Sequence, residues 1–468
     1  MHSNSPPAGP GPDTSLRILI LYAQPVFWSM GEGCGAVIFT ALPSALAQRG
    51  HDVRVCLPAI GTSAGPGSQG GEGTFGSGDA RFGSDDAGFG RGDARFDSGS
   101  RTFGGDASFG SGGASVDVYH GFHLHRFPAS RSFVPVTPPG ALARLTERTR
   151  QWLRYQNWSW RHARPLALSF RPHLVIGMGY YEAPAARRLA RRLGVPNVTR
   201  VFGNSLSLTL ARPSRFYANF PEWAGLRTPA AAIILNDDGA DGLSVIRRLR
   251  IDPRPVYHLR NGLDFERFHP GPRSSRLRDS LDVRPEQPLL MTATRLATEK
   301  KLERSIAVLR DLRRFRPEAR LAILGGGPEE SRLREYALRQ GQAEAVRFPG
   351  PVRHDELPDW YRSADVVLSL LDRTNAANPV FEAMACARPV VALDTGTSRR
   401  VVRDGETGLL FAPDQIEAIG PDLAALVDQP ERMQAMGEAG RRWIPRLVLP
   451  MRERLAFEVD VLERAARS

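Results

Sequence analysis

The sequence predicts an α/β protein built from two doubly wound domains in series. Strand-like apolar runs alternate with amphipathic helical stretches from residue 16 to about 255, and the alternation starts again near residue 288. Size allows this, because 468 residues suit about two to four domains.

The elements follow in chain order. LRILILY (16–22) reads as a buried strand, followed by the Gly-rich loop SMGEGCGA from Ser29 to Ala36. A helix is predicted from Val37 to Gly50, with Ile38, Leu42, Ala45 and Leu46 on its apolar face and Gly50 closing it. Asp52–Leu57 is the next strand. Residues 61–115 break the pattern: Gly, Ser and Asp dominate, and Phe75, Phe82, Phe89, Phe96, Phe103 and Phe109 recur in a repeat close to FGSGDAR. One apolar residue per repeat leaves no second seam position for a coiled coil, and Gly opposes helix. A disordered insertion is therefore expected at 61–115, and a disordered tail at 1–15. From Val116, VDVYHGFHLHRFP resembles a hairpin. A helix is predicted over 141–165, a strand over 173–179, a helix over 182–194 ended by Gly194, and strands over 196–203 and 230–236.

The second half repeats the scheme. Strands are predicted at 288–294, 320–327, 346–349, 365–371 and 389–394, with helices at 302–315, 329–340, 355–363 and 379–387. Two Rossmann-like domains, 16–255 and 256–445, then face each other across a cleft bordered by the carboxyl ends of their strands. A C-terminal helix occupies 446–468, and the sequence does not say where it packs.

Charge narrows the partners. The formal net charge is +12, but residues 118–235 hold 17 Arg against only Glu147, Glu182 and Glu222. The rest of the chain is close to neutral and carries no recognised nucleic-acid motif, which argues against a nucleic-acid partner. The basic stretch also holds Trp152, Tyr155, Trp158 and Trp160. Arg with aromatics suits an anionic membrane surface, whereas the plainer reading makes the aromatics core and the Arg a solvated face. No apolar run reaches about 18 residues and the N-terminus has no signal-like hydrophobic region, so a cytoplasmic protein is expected, with peripheral docking on the inner leaflet as the membrane alternative. Three cysteines, Cys34, Cys56 and Cys386, are too few and too scattered for a disulfide framework or a Cys-rich zinc site.

Two segments carry chemistry. Of the 62 basic residues the only two lysines are adjacent, Lys300 and Lys301, in the segment Thr294–Lys301 that joins a strand to a helix. Arg295 and Lys300 lie five apart, and a planar guanidinium with a compact ammonium at a helix N-terminus can grip a diphosphate. The alternative is a surface loop of ordinary solvated charges. The second segment is NAANPVFEAMACARPVVA, from Asn375 to Ala392. Pro379 suits a first helical turn, and Glu382 in an otherwise apolar helix is placed to accept both hydroxyls of a ribose, or simply to cap the helix dipole.

Together these segments resemble the retaining glycosyltransferases of family 4, the group 1 nucleotide-sugar transferases of GT-B fold. Thr294–Lys300 is similar to the family's GRL-x3-K segment, and Glu382–Ala392 to its EAMA-x-G-x-PVVA segment. Asn261-Gly262-Leu263-Asp264, Leu324–Pro328, Arg347–Gly350 with Tyr361–Asp365, and Asp404–Leu410 resemble further family segments, as does Ala45–Val53 after the N-terminal Gly-rich loop. The resemblance implies transfer of a hexose from a nucleotide-diphosphate sugar, with retention, to a glycan or polyprenyl-linked saccharide in bacterial cell-surface polysaccharide synthesis. It implies no cofactor and no metal. Arg295 and Lys300 would stabilise the leaving diphosphate, Glu382 would hold the ribose, and Gly33 and Gly35 would let backbone approach the donor or acceptor. Phe348–Val352, with Gly350 and Val352, would line the nucleobase pocket.

Two departures matter. The family often has a first Glu eight residues before the second, and here that position is Thr374. Asp372, Thr374, Asn375 and Asn378 are the replacements, with Asn375 and Asn378 ranked first because an amide both donates and accepts. Many members have a His where this chain has Phe202, and His51, His123 and His125 read more simply as structural. No general base is assigned. A nucleotide-sugar epimerase of the same fold, or an inactive relative, is the alternative reading.

Overall fold

The computed structural model describes residues 15–22, 37–60, 115–129, 141–202, 220–236, 242–251, 255–372, 378–396 and 398–468. Apart from Ser15 and Ser115, the expected disordered tail and insertion lie outside these residues.

The first sheet has the order β3-β4-β2-β1-β5-β6-β7-β8. Its strands are β1 (Arg17–Leu21), β2 (Asp52–Ile60), β3 (Ser115–Tyr119), β4 (Phe122–Ala129), β5 (Leu174–Met178), β6 (Asn197–Phe202), β7 (Ala232–Asn236) and β8 (Val256–Leu259). Only the β3–β4 hairpin is antiparallel; the other pairings are parallel, as apolar runs buried on both faces require. The hairpin turns at His120 and Gly121, both at positive φ. Because β8 pairs with β7, the first domain extends to Leu259, four residues past the boundary expected from sequence.

Alternate strand residues serve different cores. Ile18, Ile20, Val53, Val55 and Ile176 pack with Leu42 and Leu46 of helix α1 (Val37–Gln48). Leu19, Leu21, Cys56 and Val175 pack on the opposite face with Leu189 of α3 (Glu182–Leu193) and Tyr155 and Trp158 of α2 (Ala141–Phe170). Helix α2 runs through Pro165, where the sequence suggested an end, and reaches Phe170. The burial of Leu166, Ala167 and Phe170 in that core outweighs the backbone hydrogen bond that Pro165 removes. Further helices in the described residues of this half are α4 (Phe220–Arg227) and α5 (Gly242–Arg248).

The second sheet is wholly parallel, with order β11-β10-β9-β12-β13-β14. It is formed by β9 (Leu289–Ala293), β10 (Arg320–Leu324), β11 (Val346–Gly350), β12 (Val366–Ser369), β13 (Val390–Leu393) and β14 (Gly408–Phe411). Around it lie α6 (Ser275–Ser280), α7 (Glu303–Leu312), α8 (Glu330–Arg339), α9 (Leu357–Ser363), α10 (Asn378–Ala385), α11 (Ser398–Val401), α12 (Ile419–Val427) and α13 (Pro430–Trp443). Its two faces again separate by parity: Leu289, Met291 and Val367 enter one core, and Leu290, Val366 and Leu368 the other.

The last helix, α14 (Met451–Arg467), returns to the first domain. Val459, Val461, Leu462 and Ala465 pack beneath the first sheet beside α1. Each fully buried Val or Leu there contributes roughly 1.5–3 kcal/mol of hydrophobic stabilisation. The chain therefore crosses between domains twice, and the crossings run side by side. Leu263 N–H donates to Leu449 O at 3.1 Å and Met451 N–H to Leu263 O at 2.9 Å.

Candidate functional site

In the second sheet the strand order reverses direction between β9 and β12, which are paired neighbours. Ligands of open α/β sheets bind at such a switch, beyond the carboxyl ends of the strands. The segment after β9 carries Arg295 and Lys300, and the helix after β12 carries Glu382. Both candidate segments thus flank the crevice.

Glycines place the first segment. Thr294 N–H donates to Leu324 O and Leu296 N–H to Gly326 O, each at 3.0 Å. A Cβ on Gly325, whose φ is +126°, would lie 2.0 Å from Thr294 O, and one on Gly327 would lie 2.2 Å from Leu296 O. Only glycine permits this contact, so the triple glycine after β10 fixes the backbone on both sides of Arg295. Thr298–Lys300 forms a single 3₁₀ turn, closed by Lys301 in the left-handed region at φ +49°; α7 starts only at Glu303. Lys300 therefore sits before the helix rather than in its first turn. The exposed Arg295 side chain is paired with Glu299 at 2.6 Å. Exposed pairs of this kind are worth about 0–1 kcal/mol, so an arriving dianion can displace the carboxylate.

Glu382 is 95% buried by contrast, at 5% exposure, and lies past the first turn of α10, so it does not cap the helix dipole as the plainer sequence reading allowed. Tyr361, fully buried on α9, donates its hydroxyl to Glu382 Oε2 at 2.8 Å. Burial, and then the Glu382 charge, push the Tyr361 phenol well above its usual range, so it stays a donor. His354 Nε2 lies 3.7 Å from Glu382 Oε1, and His354 Nδ1 is 3.2 Å from Arg267 Nη1. One carboxylate oxygen is thus held by the protein, and the other faces His354.

The remaining candidates separate. Gly350, at φ +85°, ends β11 and its carbonyl accepts from Gly325 N–H at 2.9 Å. Val352 is turned into the second-domain core beside Trp360 and Tyr361. Asp372 is paired with Arg304 at 2.6 Å. Asn378 opens α10, and its Oδ1 accepts from Asn261 Nδ2 at 2.9 Å. Gly33, Gly35, Thr374 and Asn375 lie outside the described residues. Of the histidines, His51 is buried, with Nδ1 accepting from Leu16 N–H and Nε2 2.9 Å from Glu463 Oε1. His125 is pushed down to about 4, by burial first and then by Arg54 and His123, and is neutral at pH 7. Among the described residues no group of three or more His, Cys, Asp or Glu could hold a metal ion.

Residues 274–443 match the family described as glycosyl transferases group 1. Over 291 residues, the chain is 35% identical to the GDP-mannose-dependent alpha-(1-6)-phosphatidylinositol monomannoside mannosyltransferase of Mycolicibacterium smegmatis, covering 56% of this chain and 76% of that protein. The chain belongs to the group 1 glycosyltransferases. It is also 31% identical over 218 residues to D-inositol 3-phosphate glycosyltransferase 2 of Catenulispora acidiphila, covering 45% of this chain but only 51% of that relative. Sucrose-phosphate synthase from Thermosynechococcus elongatus superposes with TM-score 0.66 at 15% identity, over 96% of this chain and 98% of that one. Anabaena HepE, in a structure with UDP and glucose, superposes with TM-score 0.61 at 15% identity, over 96% and 100%. At such identities the likeness concerns the fold alone, which is GT-B.

Sequence reasoning missed four features of this group 1 glycosyltransferase. Tyr361 and His354 flank Glu382. A buried ion cluster of Arg200, Glu458 and Arg454 joins β6 to α14, and Asn236 and Asn261 continue it toward Asn378. The i,i+4 spacing of Arg454 and Glu458 is visible in the sequence, but it normally marks a solvated helix face. The aromatic stretch resolves toward core. Tyr155 and Trp158 are buried, Trp152 lies edge-on to Phe220, and Arg188 lies 3.8 Å over Trp160. No helix among the described residues is long and apolar enough to cross a membrane.

Proposed function

We propose that this glycosyltransferase moves a hexose, with retention, from a nucleotide-diphosphate sugar to a glycan or lipid-linked saccharide of a bacterial cell surface. The observation that carries the reading is the placement of the Arg295–Lys300 segment and of Glu382 on either side of the β9/β12 switch. Arg295 and Lys300 meet the diphosphate as negative charge develops on it, the main electrostatic task when the glycosidic bond to phosphate breaks. Glu382 accepts from a ribose hydroxyl through the oxygen not held by Tyr361. The acceptor attacks from the face the diphosphate leaves, and its proton passes to the departing phosphate, so no protein base is required. A lipid-linked acceptor is supported by the name of the mycolicibacterial relative, which acts on a phosphatidylinositol monomannoside. The two buried aromatics leave the basic residues of the first domain, with exposed Leu153, as the means of docking on an anionic inner leaflet.

The test is thermal shift with UDP-, GDP- and ADP-sugars, followed by turnover of the sugar that binds. A donor that binds only the native state raises the melting temperature. Arg295→Ala is expected to lower kcat/KM by about 10²–10³-fold while leaving the fold intact, by analogy with removal of other charge-stabilising donors. Unchanged turnover in both Arg295→Ala and Glu382→Ala would remove the proposed site.

A further inference from the structure

An unbroken line of polar side chains runs from the first domain to the candidate donor helix. Arg200, on β6 and 1% exposed, donates through Nε and Nη2 to Glu458, which is fully buried on α14. Arg454, one turn earlier on α14, donates Nη1 to Glu458, Nε to Arg260 O at 3.2 Å and Nη2 to Asn236 Oδ1 at 3.1 Å. Asn236, at the end of β7, donates Nδ2 to Asn261 Oδ1, and Asn261 donates Nδ2 to Asn378 Oδ1 at 2.9 Å. Asn261 lies in the first crossing between domains, just before Leu263, which pairs with the second crossing. Its amide therefore bridges a first-domain strand end and the first residue of α10.

We infer that Asn261 and Asn378 are positioning residues: they tie the start of α10, and through it Glu382, to the C-terminal helix docked on the first domain. The inference rests on the donor-site reading above, and it gives Asn378 a different task from sugar contact. The carbonyl of its side chain is occupied by Asn261. Every link has a directional donor and acceptor, and the ion cluster behind it is shut off from water. Burial alone raises the Glu458 carboxyl, but Arg200 and Arg454 hold it below its ordinary range, so the charge that orients Arg454 persists. Rotating the domains about the crossings would break the chain at Asn261 first, because that is where it passes from one domain to the other.

The test compares Asn261→Leu, which is similar in size but offers neither the acceptor for Asn236 nor the donor to Asn378, with Arg49→Ala. The latter breaks the bridge of Arg49 to Asp460, loosening α14 without touching the line. Hydrogen exchange of the full chain and titration with UDP, GDP and ADP are read on both. Asn261→Leu is expected to speed exchange in residues 378–385 and to weaken the nucleotide that binds by roughly threefold to tenfold, the loss of the one net hydrogen bond that reaches α10. Its donor KM should rise with little change in kcat, and β9 and β13 should keep their protection. Arg49→Ala should change neither the α10 exchange nor the affinity. Unchanged α10 exchange in Asn261→Leu, or an equal effect from Arg49→Ala, would overturn the inference. If the unmodified protein binds none of the three nucleotides, the donor-site reading fails, while the exchange comparison still decides whether the tie exists.

Discussion

Replacing Glu458 with Gln removes the carboxylate that lies between two buried guanidinium groups. Arg200 and Arg454 have side chains exposed by 1% and 4%, and Glu458 by 0%. Among the described residues Arg200 Nη1 already has no hydrogen-bond partner. Without the carboxylate, two positive charges face each other away from water. Removing one partner of a buried pair costs about 3–5 kcal/mol because the remaining charge is uncompensated. For a domain of 150–250 residues, each kcal/mol moves the melting temperature by about 2–4 °C, so a fall of roughly 6–20 °C is expected. Scanning calorimetry at neutral pH measures it. Since the folded carboxyl lies below its unfolded value of about 4.3, its contribution is fully present above that pH and is lost as pH falls through the folded value. The gap between the two proteins should therefore narrow in acid. The triple replacement Arg200→Met, Arg454→Met, Glu458→Leu removes all three charges of the cluster and should recover most of the loss. A Glu458→Gln protein that melts within about 2 °C of the parent would refute the reasoning.

Two further outcomes can be checked on the same preparations. Gly325→Ala places a Cβ 2.0 Å from Thr294 O at φ +126°; it should cost roughly 1–3 kcal/mol in urea unfolding and weaken nucleoside diphosphate binding by moving the Arg295 segment. Tyr361→Phe removes the hydroxyl that holds Glu382 Oε2; a stability loss of about 1.5–3 kcal/mol, the worth of a hydrogen bond to a charged group, should appear in urea unfolding.

Several features could be read from the chain alone because they are local. Glycines stand where strands end close to a neighbouring backbone, as at Gly325 and Gly327 against Thr294 and Leu296. Hydrophobic parity told strands from helices, and the proximity of Arg295 and Lys300 in the chain exposed them as a pair. Boundaries were read less well. Pro165 stopped the predicted helix, because a missing backbone hydrogen bond is a local fact and the burial of Phe170 is not. Val256–Leu259 was given to the second domain because a short strand declares its sheet only through its partner.

The sequence by itself determined the two-domain α/β architecture and the segments that border the β9/β12 crevice, since both follow from periodicity and from residue types fixed in short stretches. Only the tertiary structure decided that α14 closes the first domain, that Tyr155 and Trp158 are core, that Tyr361 holds Glu382, and that Arg200 meets Glu458 across 258 positions of chain. The physical reason is the same in each case. A charge or an aromatic ring looks alike in sequence whether water or protein surrounds it, and its role is set by which distant segment removes the water.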